Sequence, residues 1–253
     1  MTSTSHQQNE SRANVLTYPV DCVDEPHALL RMEECWQKGE TLCVETLNAE
    51  MVIACQKDGN LDRIVRSANL IVPDGAGVVW ALRLNGIAVS RLPGIELAEG
   101  ALALAAKKGA PVVLIGGKPD VIEKLKDVLP ERYEGLNLAA VQDGYFKPES
   151  EAEIVSRFKS HQPKLILIAL GIPKQEVFMD RWKAAFPGAV MIGVGGSFDV
   201  WAGLVNRAPA FFRKFHLEWF YRLMKQPWRF QRMAQSLPNF AFQVIVKRIT
   251  GKS

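Results

Sequence analysis

With 253 residues, 48% of them hydrophobic and 23% charged, and a net charge of +4, the chain suits one α/β domain with an appendage or two small domains. This excludes a disordered or low-complexity protein. Cys22, Cys35, Cys43 and Cys55 form no CxxC pair and have no histidine cluster beside them, which predicts free thiols in a reducing compartment. No stretch reaches the roughly 20 apolar residues that span a bilayer, so the expectation is a cytoplasmic protein whose membrane contact is peripheral.

Residues 1–14 (MTSTSHQQNESRAN) are polar and lack the apolar core of a secretion signal, which predicts a disordered start. Leu42–Glu45 reads as a short strand, followed by a helix near Ala49–Lys57. Leu70–Val72 reads as a strand ending at Pro73-Asp74-Gly75. A helix over Ile95–Lys108 should stop at Gly109. Pro111–Ile115 is a buried type of strand, followed by Gly116-Gly117 and a helix over Pro119–Leu129. Leu136–Val141 is the next strand, and Glu149–Ser160 the next helix. Lys164–Leu170 is a continuously apolar strand closed by Gly171. A helix runs from Pro173 to about Phe186, and Ala189–Val194 is the last strand, running into Gly195-Gly196.

Continuously apolar strands separated by helices of about 10–15 residues point to a Rossmann-like, largely parallel sheet with helices on both faces. The expected division is a tail over 1–14, an α/β core over 15–206 and a helical, basic appendage over 207–253. In such sheets ligands bind beyond the carboxyl ends of the strands. The informative loops are then Thr46–Asn48, Pro73–Gly75, Gly116-Gly117, Asp143–Phe146, Gly171–Glu176 and Gly195–Asp199.

The appendage differs chemically from the rest. It holds ten Lys/Arg against one acid, Glu218, and ten of the 22 aromatic residues. That combination suits an anionic, greasy partner such as a membrane surface or a lipid-linked phosphate. Arg222, Lys225, Arg229 and Arg232 would form a basic stripe on one helix, but Pro227 predicts a break into two. The run Phe240–Ile249 fits either a helix packed on the core or one lying in a membrane interface.

Two glycine-rich turns after strands, at Gly116-Gly117 and Gly195-Gly196, suit close backbone approach to a phosphate, though neither is a P-loop nor a full GxGxxG. Asp74 has two readings, a cap for the helix that follows or a general base in the cleft. No DxD motif occurs, so cations other than a metal are expected to neutralise a departing diphosphate. No nucleic-acid motif is present. A dinucleotide-dependent oxidoreductase would need a GxGxxG after the first strand, and none is there. A non-catalytic lipid-binding module would not need Asp74 or Gln175.

Taken in order, Thr46-Leu47-Asn48-Ala49-Glu50, Pro73-Asp74-Gly75-Ala76-Gly77, Arg91 before Gly94, Asp143-Gly144-Tyr145-Phe146, Pro173-Lys174-Gln175-Glu176, Gly193-Val194-Gly195-Gly196-Ser197, Arg207-Ala208-Pro209 and Pro227-Trp228-Arg229 through Arg232 closely resemble the WecG/TagA/CpsF glycosyltransferases over roughly residues 16–250. The resemblance implies an inverting, metal-independent enzyme with no cofactor, peripheral on the inner face of the plasma membrane. It would move an N-acetylmannosamine-type sugar from a UDP-sugar to a polyprenyl-diphosphate-linked N-acetylglucosamine during cell-surface polysaccharide synthesis. It further implies Asp74 as general base, with Thr46 and Asn48 orienting the acceptor. Gln175 would bond substrate and Arg91 would contact phosphate. Gly116, Gly117, Gly195 and Gly196 would face the nucleotide, and Arg222, Arg229 and Arg232 would bind diphosphate oxygens. A homo-oligomer is compatible with this reading; nucleic acid is not expected as a partner.

Overall fold

The computed structural model describes residues 12–209, 211–212, 221 and 230–251, the side chains of 230–233 excepted. A small antiparallel hairpin comes first, β1 (Arg12–Val15) and β2 (Tyr18–Asp21), with Val15 opposite Tyr18. Strand β1 begins inside the stretch expected to be disordered, and the physical reason is tertiary. Val15, Tyr18 and Val20 are buried. Arg12 pairs with Asp21 at 3.4 Å, and the buried Asp21 accepts the Ile71 N–H at 2.7 Å, which pins the hairpin to the neighbouring sheet.

That sheet has six parallel strands: β3 (Leu42–Leu47), β4 (Leu70–Pro73), β5 (Val112–Gly116), β6 (Leu138–Gln142), β7 (Leu165–Ala169) and β8 (Val190–Gly193). They lie in the order β4-β3-β8-β7-β5-β6. The fully described α-helices are α1 (Glu25–Lys38), α2 (Ala49–Cys55), α3 (Gly59–Arg66), α4 (Ala76–Leu84), α5 (Gly94–Lys108), α6 (Pro119–Arg132), α7 (Glu151–Ser160), α8 (Lys174–Trp182), α9 (Ser197–Trp201) and α10 (Phe230–Thr250).

Strand alternation sorts the side chains into two cores. Val112, Leu114, Leu165, Leu167, Val190 and Ile192 pack with residues of α1, α5 and α6 on one face. Val113, Ile115, Ile166, Ile168 and Met191 pack with α7 and α8 on the other. Helix-covered faces on both sides are what the unbroken apolar strands predict. The chain is therefore an α/β protein of the expected class. Helix α5 ends as expected at Gly109, whose φ of 60° is the left-handed conformation that glycine adopts without strain.

Because all six strands of this sheet are parallel, their carboxyl ends lie on one rim. The chain leaves β5 through α6 to β6 on one side and leaves β7 through α8 to β8 on the other. Neighbouring strands thus send their connections in opposite directions, which opens a crevice at their ends.

The last helix answers the question left open by the sequence of Phe240–Ile249. Phe240 and Val244 are buried in the cluster built by α2, α4 and the hairpin, and Lys247 Nζ donates to the Leu16 carbonyl. Phe242, Ile245 and Ile249 stay exposed on the opposite side. One face of α10 is therefore core. The expected break at Pro227 lies outside the described residues.

Candidate active site at the strand-end rim

The β3 and β4 ends are knitted together by backbone. The Asp74 and Gly75 N–H groups both donate to the Leu47 carbonyl, at 3.1 and 3.3 Å. Asn48 caps α2 by accepting the Met51 N–H at 3.0 Å. A Cβ on Gly75 would stand 2.8 Å from Asn48 Cβ, so only glycine lets these two loops approach so closely.

Asp74 does not cap the helix that follows it. The N-cap of α4 is Gly75, with no side-chain cap. Instead, Asp74 Oδ1 accepts the Gly94 N–H at 3.2 Å, at the start of α5, where the helix dipole favours negative charge. Arg91 Nε donates to the Asp74 carbonyl at 2.6 Å, and its Nη2 lies 4.0 Å from Asp74 Oδ1. The carboxylate is partly open, its side chain 26% exposed. Thr46 closes the group, since a Cβ on Gly94 would lie 2.9 Å from Thr46 Cγ2. Thr46, Asn48, Asp74 and Arg91 thus form one cluster. Gly94 belongs with them although motif reading alone did not assign it a role; its signal was the Leu-Pro-Gly helix start just after Arg91.

A second cluster sits at the β7 and β8 ends. Gln175, in the first turn of α8, is 4% exposed. Its Oε1 accepts the Gly195 N–H at 3.2 Å, and its Nε2 donates to Glu176 Oε1 at 2.8 Å. The Gly195 N–H dictates which end of the amide is oxygen, because an NH2 there would set donor against donor. One Nε2 hydrogen remains. Beside Gln175 lie two acids whose burial sequence reading missed, Glu176 at 0% and Glu45 at 2% exposure. Burial holds Glu45 well above the usual carboxylate range, reinforced by the charge of Glu176, and burial pushes Glu176 up to about 7. Strand alternation could have placed Glu45 on the face of Cys43 and Leu47, but not revealed that α8 covers that face.

The third element is the crevice between β5 and β7. Gly116 has a φ of 118°, and a Cβ there would lie 2.4 Å from the Ala169 carbonyl atoms. Gly117 donates its N–H to the Ala169 carbonyl at 3.1 Å, and its own carbonyl accepts the Gly144 N–H at 2.9 Å. The N–H groups of Gly117 and Gly195 are thus both used internally, so what these turns offer a ligand is a surface without side chains. Gly196 is exposed just before α9. Arg222 and Arg229 lie outside the described residues, as does the side chain of Arg232.

Among the described residues no group of three or more His, Cys, Asp or Glu is placed to hold a metal ion. Nor is any described helix long and apolar enough to cross a membrane. The four cysteines are free, and burial pushes the Cys43 thiol up to about 12.

A doubly wound parallel sheet with an arginine-supported carboxylate on its strand-end rim has the architecture of an α/β enzyme, and comparison with known proteins gives that enzyme its class. The family described as "Glycosyl transferase WecG/TagA/CpsF family" matches residues 13–253, and the chain belongs to it; it is a glycosyltransferase. It is also similar to the N-acetylglucosaminyldiphosphoundecaprenol N-acetyl-beta-D-mannosaminyltransferase of Bacillus subtilis (strain 168). The two are 38% identical over 211 residues, which is 83% of this chain and 81% of the relative.

Proposed function

We propose that this chain moves an N-acetylmannosamine-type sugar from a UDP-sugar to a polyprenyl-diphosphate-linked N-acetylglucosamine, with inversion at the anomeric carbon. The name of the B. subtilis relative supports the sugar and the lipid-linked acceptor. The observation that carries the chemistry is the setting of Asp74, a carboxylate held by the Gly94 N–H and Arg91 at the rim, beside Thr46 and Asn48. In this reading an acceptor hydroxyl attacks the anomeric carbon and the bond from that carbon to the diphosphate oxygen breaks. UDP leaves, and the hydroxyl proton passes to Asp74. Thr46 and Asn48 orient the acceptor. Arg91 holds Asp74 from behind and adds positive charge near a phosphate. The remaining Gln175 N–H reaches substrate, and the Gly116-Gly117 and Gly195-Gly196 turns border the nucleotide. Arg222, Arg229 and Arg232 offset the charge of the departing diphosphate, a role guanidinium forks suit. The basic, aromatic appendage brings the enzyme to the anionic inner face of the plasma membrane as a peripheral protein.

The test is Asp74→Asn, assayed with UDP-N-acetylmannosamine and a short-chain polyprenyl-diphosphate N-acetylglucosamine, with product read by mass. Loss of a general base should lower kcat by about 10²–10⁴-fold while the melting temperature stays near that of the wild type. Near-normal turnover would refute the assignment. A panel of other UDP-sugars in the same assay identifies the donor.

A further inference from the structure

Glu45 leaves β3 on the face that also carries Cys43 and Leu47, and Glu176 lies in the first turn of α8, which packs on that strand. Among the described residues neither carboxyl is paired with a cation. Cys43 on β3 lies within electrostatic reach of Glu45 and also of Asp180 on α8 and Lys183 just beyond it, and Cys55 on α2 lies within reach of both acids and of Asp62 and Arg66 on α3. The nearby cations are already committed. Arg66 pairs with Asp62 at 2.8 Å, Arg63 with Asp180 at 2.6 Å and Lys183 with Asp180 at 2.9 Å. Two ionised carboxylates in such a space would repel each other without compensation, so one of the pair keeps its proton at neutral pH.

The geometry above this pair is tight. Glu176 Oε1 accepts from Gln175 Nε2, while Glu176 Oε2 is buried with no hydrogen-bond partner. Gln175 in turn accepts the Gly195 N–H. A Cβ on Gly193 would lie 2.4 Å from Gln175 Nε2, so the carboxamide rests directly on that glycine. The Gly195 N–H and Glu176 thus hold the Gln175 carboxamide from its two ends, Glu176 by fixing its amide hydrogens.

We propose that Glu176 is a positioning residue: its carboxyl, buried with Glu45, orients the Gln175 carboxamide against the Gly193–Gly195 turn and so sets how tightly the rim binds the UDP moiety of the donor. This rests on reading the enzyme as UDP-sugar-dependent. Glu176 touches no substrate; it acts through Gln175. A carboxyl or a carboxamide at position 176 can accept the Gln175 hydrogen, whereas an aliphatic side chain cannot and an aspartate is one methylene too short.

The experiment uses the full chain, with UDP alone as the calorimetric probe and donor KM and kcat as the kinetic readout. Glu176→Gln should stay within about 3-fold of wild type in UDP Kd and donor KM, since the acceptor of the hydrogen bond is retained. Glu176→Leu and Glu176→Asp should each raise both by about 10-fold or more, with a smaller change in kcat. A merely structural acid would lower the melting temperature without depending on Gln175, which the double variant below separates. Should Glu176→Leu fail to fold, the Asp and Gln pair still decides the matter. With Gln175→Ala in place, Glu176→Asp should cost nothing further, whereas additive losses would overturn the proposal. Wild-type affinity in Glu176→Asp would overturn it alone. A wild type that binds no UDP would overturn it together with the donor assignment.

Discussion

Asp74 and Glu176 both stand just past the carboxyl end of a parallel strand, yet their surroundings differ in every respect that governs a carboxyl group. Asp74 is partly open, receives an N–H at a helix start and has an arginine 4.0 Å away. Glu176 is closed off, faces a second acid and has one oxygen without a partner. The first setting puts a carboxylate, an N–H and a guanidinium where substrate can reach them; burial in the second raises the carboxyl's hold on a proton. In the mechanism proposed above, similar functional groups on one rim thus serve opposite ends, one chemical and one architectural.

The contrast predicts its largest effect in a matched pair of amide substitutions. Asp74→Asn should cost about 10²–10⁴-fold in kcat, whereas Glu176→Gln should leave turnover nearly intact; equal losses in the two assays would erase the distinction. Next in size is Gly116→Ala, which places a methyl against the Ala169 backbone at a positive φ. It should cost about 3 kcal/mol, read as a lower denaturant midpoint, and an unchanged midpoint would show the crevice to be looser than its geometry. Arg91→Met should remove a charge-assisted hydrogen bond worth about 1.5–3 kcal/mol. The check is kcat, which should fall by about 10-fold with little change in UDP affinity if Arg91 acts mainly by holding Asp74.

The last test concerns pH. Both buried glutamates are held above their ordinary value of 4.5, chiefly by burial. Above that value the unfolded chain has released protons that the folded protein keeps, so their contribution to stability falls as pH rises. For Glu176 the loss runs from about pH 4.5 to about 7 and then levels off. The slope is at most about 1.4 kcal/mol per pH unit for each proton held. Glu45→Gln should flatten the fall in melting temperature between pH 5 and 8; parallel curves for variant and wild type would mean that no proton is held.

Much of the frame was legible in the chain because β5, β7 and β8 are unbroken apolar runs bounded by glycine or proline, a pattern set by local composition. The hairpin was not. Arg12-Ala-Asn-Val and Tyr-Pro-Val-Asp carry little strand signal, and what holds them is the distant Asp21–Ile71 contact. The Thr46–Asp74–Arg91 grouping was legible only through the order of motifs, since nothing local tells that a residue after β4 and another before α5 meet. Glu45 was the least legible. A lone acid in a strand reads as facing solvent until the helix that covers it is placed.

The seating of α10 has a consequence for distance along the chain. Phe240 lies against Gly77 in the first turn of α4, three residues beyond Asp74. Arg207 is bound to Glu96 in the first turn of α5, whose start holds the Asp74 carboxylate. The stretch between them, which carries Arg213, Arg222 and Arg229, is therefore moored at both ends close to the same carboxylate. In the proposed mechanism, arginines that meet a diphosphate at the rim would come from a stretch whose two ends are already anchored beside Asp74.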